Sequence, residues 1–395
     1  MALRAEDTLG PILMRRRVAI AGCLFSALAF ASPASADPND LALNRLSYYQ
    51  QPGSMNIVAQ GGCGTASTQF SQCFADNQMF ANLINELGGA LAPPLLAPPR
   101  TTGYNGWYFG YENTITGING GGDYWHRGTI GNPPPGTGNE GTGTSQIRSN
   151  VPNQLFVSHL HVRKGFPYGF ELGTHVNWLH DSTMVSLGLD IRWSLFEGFH
   201  SGIGYLPDFA VRGSVNTLVG NQQLYLTIVG VDAMISKPFA IGGVAVLTPY
   251  LGAQALMILG DSTVVDGTPQ RSSYEECTRR HVAVTRDAMN NPTSSDLICD
   301  SGMNAPVTGP NDSRNEMVFM ATRILRVRGA AGLRLRIGYF NIGGEFLYDL
   351  VEPMWLNGAD SVQGQGRPTM TGQATDVTIE YPHQWQVTFG GGVQF

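Results

Sequence analysis

The feature that most constrains this chain is a strict alternation of apolar and polar side chains in long segments, beginning after residue 103. In 169–179, Phe170, Leu172, Val176 and Trp178 alternate with Glu171, Gly173, His175 and Asn177. In 184–194, Val185, Leu187, Leu189, Ile191 and Trp193 alternate with Ser186, Gly188, Asp190 and Arg192. In 325–337, Leu325, Val327, Ala331, Leu333, Leu335 and Ile337 alternate with Arg326, Arg328, Arg334 and Arg336. Successive side chains of a strand point to opposite faces, so each segment is a strand with one apolar and one polar face. Ten such strands are predicted, at 104–116, 154–164, 168–180, 183–194, 207–219, 222–235, 241–257, 322–337, 341–352 and 383–395.

A soluble sandwich alternates too, but its strands centre on about five or six residues. These run to about ten or more, the length that crosses a bilayer at a tilt. Their apolar faces carry aromatics towards the ends, at Trp107, Trp178, Trp193, Tyr348, Trp385 and Phe395, as interfacial girdles do. Charged residues are only 14%, against about 25% in soluble proteins. The connections agree: with ten strands, 117–153, 258–321 and 353–382 all fall at one end, while at the other 165–167, 236–240 and 338–340 are tight turns and 195–206 is longer. The expected fold is an antiparallel up-and-down transmembrane β-barrel of about ten strands, with eight to twelve allowed.

The only long apolar run, Val18 to Ala31, follows Arg15, Arg16 and Arg17 and precedes Ala34-Ser35-Ala36. That pattern predicts a secretory signal peptide over residues 1–36, cleaved after Ala36. The run is shorter than the roughly 20 residues of a spanning helix. Met14 offers a second start, and Ile20-Ala21-Gly22-Cys23 resembles a lipoprotein processing box. Residues 1–36 carry four Arg, one Glu and one Asp; the rest keeps 20 basic and 28 acidic residues, net −8. That balance argues against a nucleic-acid partner. Export to an oxidising compartment predicts disulfides, Cys63 with Cys73 and Cys277 with Cys299, because short loops close most easily. The cysteine spacing does not suit a paired zinc site.

Residues 37–103 differ. Phe80, Leu83, Ile84 and Leu87 have helical spacing that stops at Gly88-Gly89, and Pro93, Pro94, Pro98 and Pro99 follow. This predicts a periplasmic N-terminal segment with one short helix and a Pro-rich linker, capping the barrel or entering its lumen. The barrel itself occupies 104–395.

The last residues resemble the C-terminal assembly signal of bacterial outer-membrane β-barrel proteins. Trp385, Val387, Phe389, Val393 and Phe395 share one parity and close on a terminal aromatic. The resemblance implies location in the outer membrane, contact with its lipid, and recognition by the barrel-assembly machinery. It carries over no site residues.

Parity assigns a lumen face that includes Glu112, His159, His161, Arg163, Glu171, His175, Asp190, Arg192, Arg212 and Asp232. Arg326, Arg328, Arg334 and Arg336 form a basic row on one strand, with Glu345 and Asp349 on the next. Such charges either pack the interior as a satisfied network or line a narrow channel for small solutes that favours anions. No phosphate loop, nucleophile elbow or zinc helix is present, so no enzyme, cofactor or metal is expected. The alternative is a surface role through the outer loops: an adhesin, or an omptin-like hydrolase using His180-Asp181, Asp123, His126, Arg280 or His281. Surface ligands at these loops are the remaining expected partners.

Overall fold

A computed structural model describes residues 37–50, 57–58, 72–95, 98–131, 148, 150–196, 206–266, 279–287, 289–290, 292–301, 305–307, 316–356, 363 and 375–395. Ten long strands form one closed antiparallel barrel. They are β1 (Trp107–Gly117), β2 (Gln154–Gly165), β3 (Phe170–Leu179), β4 (Val185–Phe196), β5 (Asp208–Val219), β6 (Leu224–Ser236), β7 (Ala245–Ser262), β8 (Thr322–Ile337), β9 (Phe340–Asp349) and β10 (Trp385–Gln394). Each pairs with its sequence neighbours, and β10 pairs with β1 to close the sheet. The seam ends in two bonds: Trp107 N–H donates to Phe395 O at 2.7 Å, and Phe395 N–H to Trp107 O at 3.0 Å.

The strands are regular because their alternation meets different media on the two faces. In β3 the burial alternates residue by residue, with Glu171, His175 and Asn177 inside and Phe170 and Leu172 outside. The outer surface is an apolar band that includes Leu160, Leu189, Ile191, Val231, Leu251 and Ile342. Aromatic rings border it: Trp107, Phe109 and Phe395 stack at one rim, and so do Phe170 and Trp193. Tyr111 with Trp178, and Phe346 with Tyr348, lie nearer the other.

The connections after β2, β6 and β8 are short and define the short-turn rim, at which β4 also ends and β5 begins. Those after β1, β7 and β9 are long and sit at the opposite rim. The turn expected at 236–240 is larger than that, because Phe239–Ile241 folds back on Ala245–Leu247 as a small hairpin. The 258–321 connection holds its own antiparallel pieces, with Pro292–Ser301 between Arg279–Arg286 and Ala305–Val307 and paired to both.

The N-terminal segment lies inside the barrel, the second of the two placements expected for it. Its helix, α1 (Asn77–Ala90), runs past Gly88 and Gly89 rather than stopping there. Asp76 caps it, accepting from Met79 N–H at 3.1 Å. The two glycines bring the helix against the wall: a Cβ on Gly88 would lie 2.5 Å from Ile258, and one on Gly89 1.9 Å from Gln384.

Candidate functional site

The site is the lumen and the segment that fills it. Twelve of the fourteen residues of α1 are buried. One face, Phe80, Leu83, Ile84 and Leu87, packs on Leu155, Val157, Leu226, Ile228, Leu256 and Ile258 of the wall. Fully burying such side chains contributes about 1.5–3 kcal/mol each before entropy is counted. The opposite face is polar and equally buried. Glu86 accepts from Asn119 N–H at 2.8 Å, Trp125 Nε1 at 2.9 Å and the Tyr124 hydroxyl. Tyr124 and Trp125 belong to α2 (Asp123–Gly128) in the first long connection, so that loop folds over the helix. Burial, and then the Glu86 carboxylate, raise the Tyr124 pKa and hold its hydroxyl protonated as a donor.

Below the helix the chain continues towards the short-turn rim, and wall side chains bond its backbone at successive levels. Asn216 Nδ2 donates to Leu91 O at 2.6 Å, Gln254 Nε2 to Pro93 O at 3.1 Å, and Arg212 Nη1 to Pro94 O at 2.9 Å. Leu95 N–H donates to Glu345 at 2.9 Å, and Thr102 N–H to Glu171 at 2.9 Å. Above the helix, Asp40 accepts from Thr183 N–H at 2.7 Å and from Ser182 Oγ at 3.0 Å, in the β3–β4 hairpin. Asn39 N–H donates to Asp181 O at 2.8 Å, and Asn39 Nδ2 to His180 O at 2.9 Å. The segment thus runs from the long-loop rim through the lumen to the short-turn rim.

The arginine row divides. Arg326 Nη1 donates to Asn85 O at 2.8 Å, and its Nη2 pairs with Asp349. Arg328 pairs with Asp349 at 3.2 Å and donates to Gln386 at 3.1 Å and to Gly89 O at 2.9 Å. These two hold α1 by its C-terminal carbonyls. Arg334 lies over the Tyr108 ring, 5.1 Å from its centroid, and Arg336 is exposed. Both line a vestibule of about 340 Å³ at the short-turn rim, with Arg100 and Asn341. Glu345 does not serve the row: it accepts from the Tyr250 hydroxyl at 2.9 Å. Tyr250 reaches it across Gly332, where a Cβ would lie 2.2 Å from the ring. Arg192 pairs with Glu171 at 3.3 Å, and Asp190 with His161 at 2.9 Å.

The residues considered for hydrolysis take part in local contacts. His180 Nε2 lies 2.7 Å from Ser158 Oγ, and His126 Nδ1 2.5 Å from Arg148 O. Asp123 opens α2. Cys63 and Cys277 lie outside the described residues, as do the side chains of Cys73 and Cys299 and all of the predicted signal peptide.

No protein-family model and no curated protein matches the sequence. Among solved structures the chain is similar to Ail, the attachment invasion locus protein of Yersinia pestis, in complex with the heparin analogue sucrose octasulfate. Identity is 7% and the TM-score 0.22, over 74% of this chain and 99% of that one. It is also similar to the outer membrane protein OprG from Pseudomonas aeruginosa, at 7% identity and a TM-score of 0.23, over 74% of this chain and 98% of that one. Likeness at this level carries no argument about function, and the fold stands on the strand pairing itself.

Parity missed the wall that receives α1. Leu224, Leu226 and Ile228 face inward although Tyr225, Val229 and Val231 on the same strand are apolar outward. The available signal was this apolar character on both parities of β6 and β7. A strand wetted inside and lipid-covered outside has no reason to show it.

Proposed function

We propose that the protein is an integral barrel of the bacterial outer membrane, sealed by its own N-terminal segment, that presents its long connections at the cell surface. The membrane assignment is supported by the continuous apolar outer band between aromatic rims, which water would penalise and hydrocarbon accepts. The single observation carrying the closed reading is α1, buried on both its faces across the lumen. In this reading the short-turn rim with Phe395 is periplasmic, and the long loops and residues 37–46 are external. Export uses the cleaved leader over 1–36, and the terminal aromatic serves assembly.

The test is conductance in a planar lipid bilayer. The full-length protein is expected to give no steady open-channel current, and deletion of residues 77–95 to give one. A steady current from the full-length protein would replace this reading with a passive channel. Fractionation tests the membrane assignment separately: the protein should pellet with the outer membrane and change gel mobility on boiling.

A further inference from the structure

In the polar half of the lumen, below α1, three ligand-type side chains from consecutive strands converge. His161 of β2, His175 of β3 and Asp190 of β4 place one ligand atom each within 4.8 Å of the others. We propose that these three residues bind one first-row divalent transition-metal ion of the zinc class inside the barrel.

The separations suit an ion. Zinc lies about 2.0–2.2 Å from imidazole nitrogen and carboxylate oxygen, which sets neighbouring ligand atoms about 3–3.5 Å apart. His161 Nε2 is 2.9 Å from Asp190 Oδ2, and His175 Nδ1 is 3.7 Å from the same oxygen. Two imidazoles and one carboxylate form the donor set that zinc-class ions take.

The three groups are buried, and two of them leave polar atoms unsatisfied. Each is 1–2% exposed. Among the described residues, neither ring nitrogen of His175 has a hydrogen-bond partner, nor does Asp190 Oδ1. Buried polar atoms are almost always paired, so such a group calls for a ligand. Glu112 stands behind His161, with Oε2 at 3.8 Å from Nδ1 and, among the described residues, no hydrogen-bond partner of its own. A metal-bound imidazole gives its other N–H to such a carboxylate. Arg163 Nη2, now 3.1 Å from the same Nδ1, would turn towards Glu171, whose carboxylate is already 3.8 Å from its Nε.

Two glycines make the arrangement possible. Gly188 faces His175 and Gly173 faces Asp190 across the sheet. A Cβ at Gly188 would sit 2.0 Å from His175 Nε2, and one at Gly173 2.3 Å from Asp190 Oδ2. The surroundings tolerate added positive charge, since Glu112, Glu171, Asp190 and Asp232 face Arg163, Arg192 and Arg212. The inference rests on this lumen geometry and not on the membrane assignment.

The test is titration of the metal-free, full-length protein in detergent with Zn²⁺, and with Co²⁺ as a spectroscopic probe. One Zn²⁺ per chain is expected. His175→Ala and Asp190→Asn should each weaken binding at least tenfold, while His383→Ala, at the long-loop end, should leave it unchanged. Absence of stoichiometric binding at micromolar Zn²⁺ would overturn the proposal, and so would undiminished binding by folded His175→Ala. If both site variants fail to fold, zinc-edge absorption of the wild-type complex decides. Two imidazoles with oxygen support the site; a sulfur-containing or all-oxygen shell overturns it.

Discussion

The two halves of the lumen hold the same continuous segment by opposite means. Towards the long-loop rim the segment is a helix whose backbone bonds to itself, so the wall there can be apolar, with Leu226, Ile228, Leu256 and Ile258 against Leu83, Ile84 and Leu87. Towards the short-turn rim it is a Pro-rich chain that cannot satisfy its own carbonyls. A buried carbonyl must find a donor, and the wall supplies Asn216, Gln254 and Arg212 to Leu91, Pro93 and Pro94. The lesson is that the secondary structure of a plug sets the chemistry of the wall around it. A helix calls for shape and apolar area, and an irregular chain calls for donors at fixed heights.

The largest expected effect lies at the boundary between the halves. Asp349 pairs with both Arg326 and Arg328 at full burial. Asp349→Asn leaves two buried guanidiniums without their countercharge and should cost about 3–5 kcal/mol, read by urea unfolding in detergent. A loss below about 1 kcal/mol would mean that water reaches this level of the lumen. In the helical half, Leu83→Ala should cost about 2–5 kcal/mol through transfer and cavity terms. Fluorescence of the buried Trp125 should report it, and an unchanged midpoint would separate α1 from the wall. In the irregular half, Gln254→Leu strands Pro93 O and should cost about 1–3 kcal/mol. An effect as large as that of Leu83→Ala would erase the distinction between the halves. Arg336→Gln, exposed at the vestibule, should stay within about 0.5 kcal/mol.

The fold was legible because an apolar outer band and a polar lumen write themselves into parity. Glu171, His175, Asp190, Arg326 and Arg328 could all be placed on one face from spacing alone. The plug was half legible: Phe80, Leu83, Ile84 and Leu87 announce a helix, but nothing local names what that face meets. Asn82, Asn85 and Glu86 are polar and yet buried, because the lumen offers polar partners that sequence spacing cannot reveal. Of the two acids beside the arginine row, Asp349 meets it and Glu345 does not, for a register reason. Glu345 stands opposite Gly332, which lets Tyr250 reach across and take the carboxylate.

The helix α1 is a stable element only because the barrel encloses it. An isolated helix of 14 residues is marginal in water and its amides exchange rapidly. Hydrogen–deuterium exchange on the intact protein in detergent, followed over residues 77–91, therefore tests the account most directly. The account predicts that this peptide is protected as strongly as the strands β6 and β7 that face it. Exchange as fast as that of an exposed loop, with those strands still protected, would place the helix outside the lumen and contradict it.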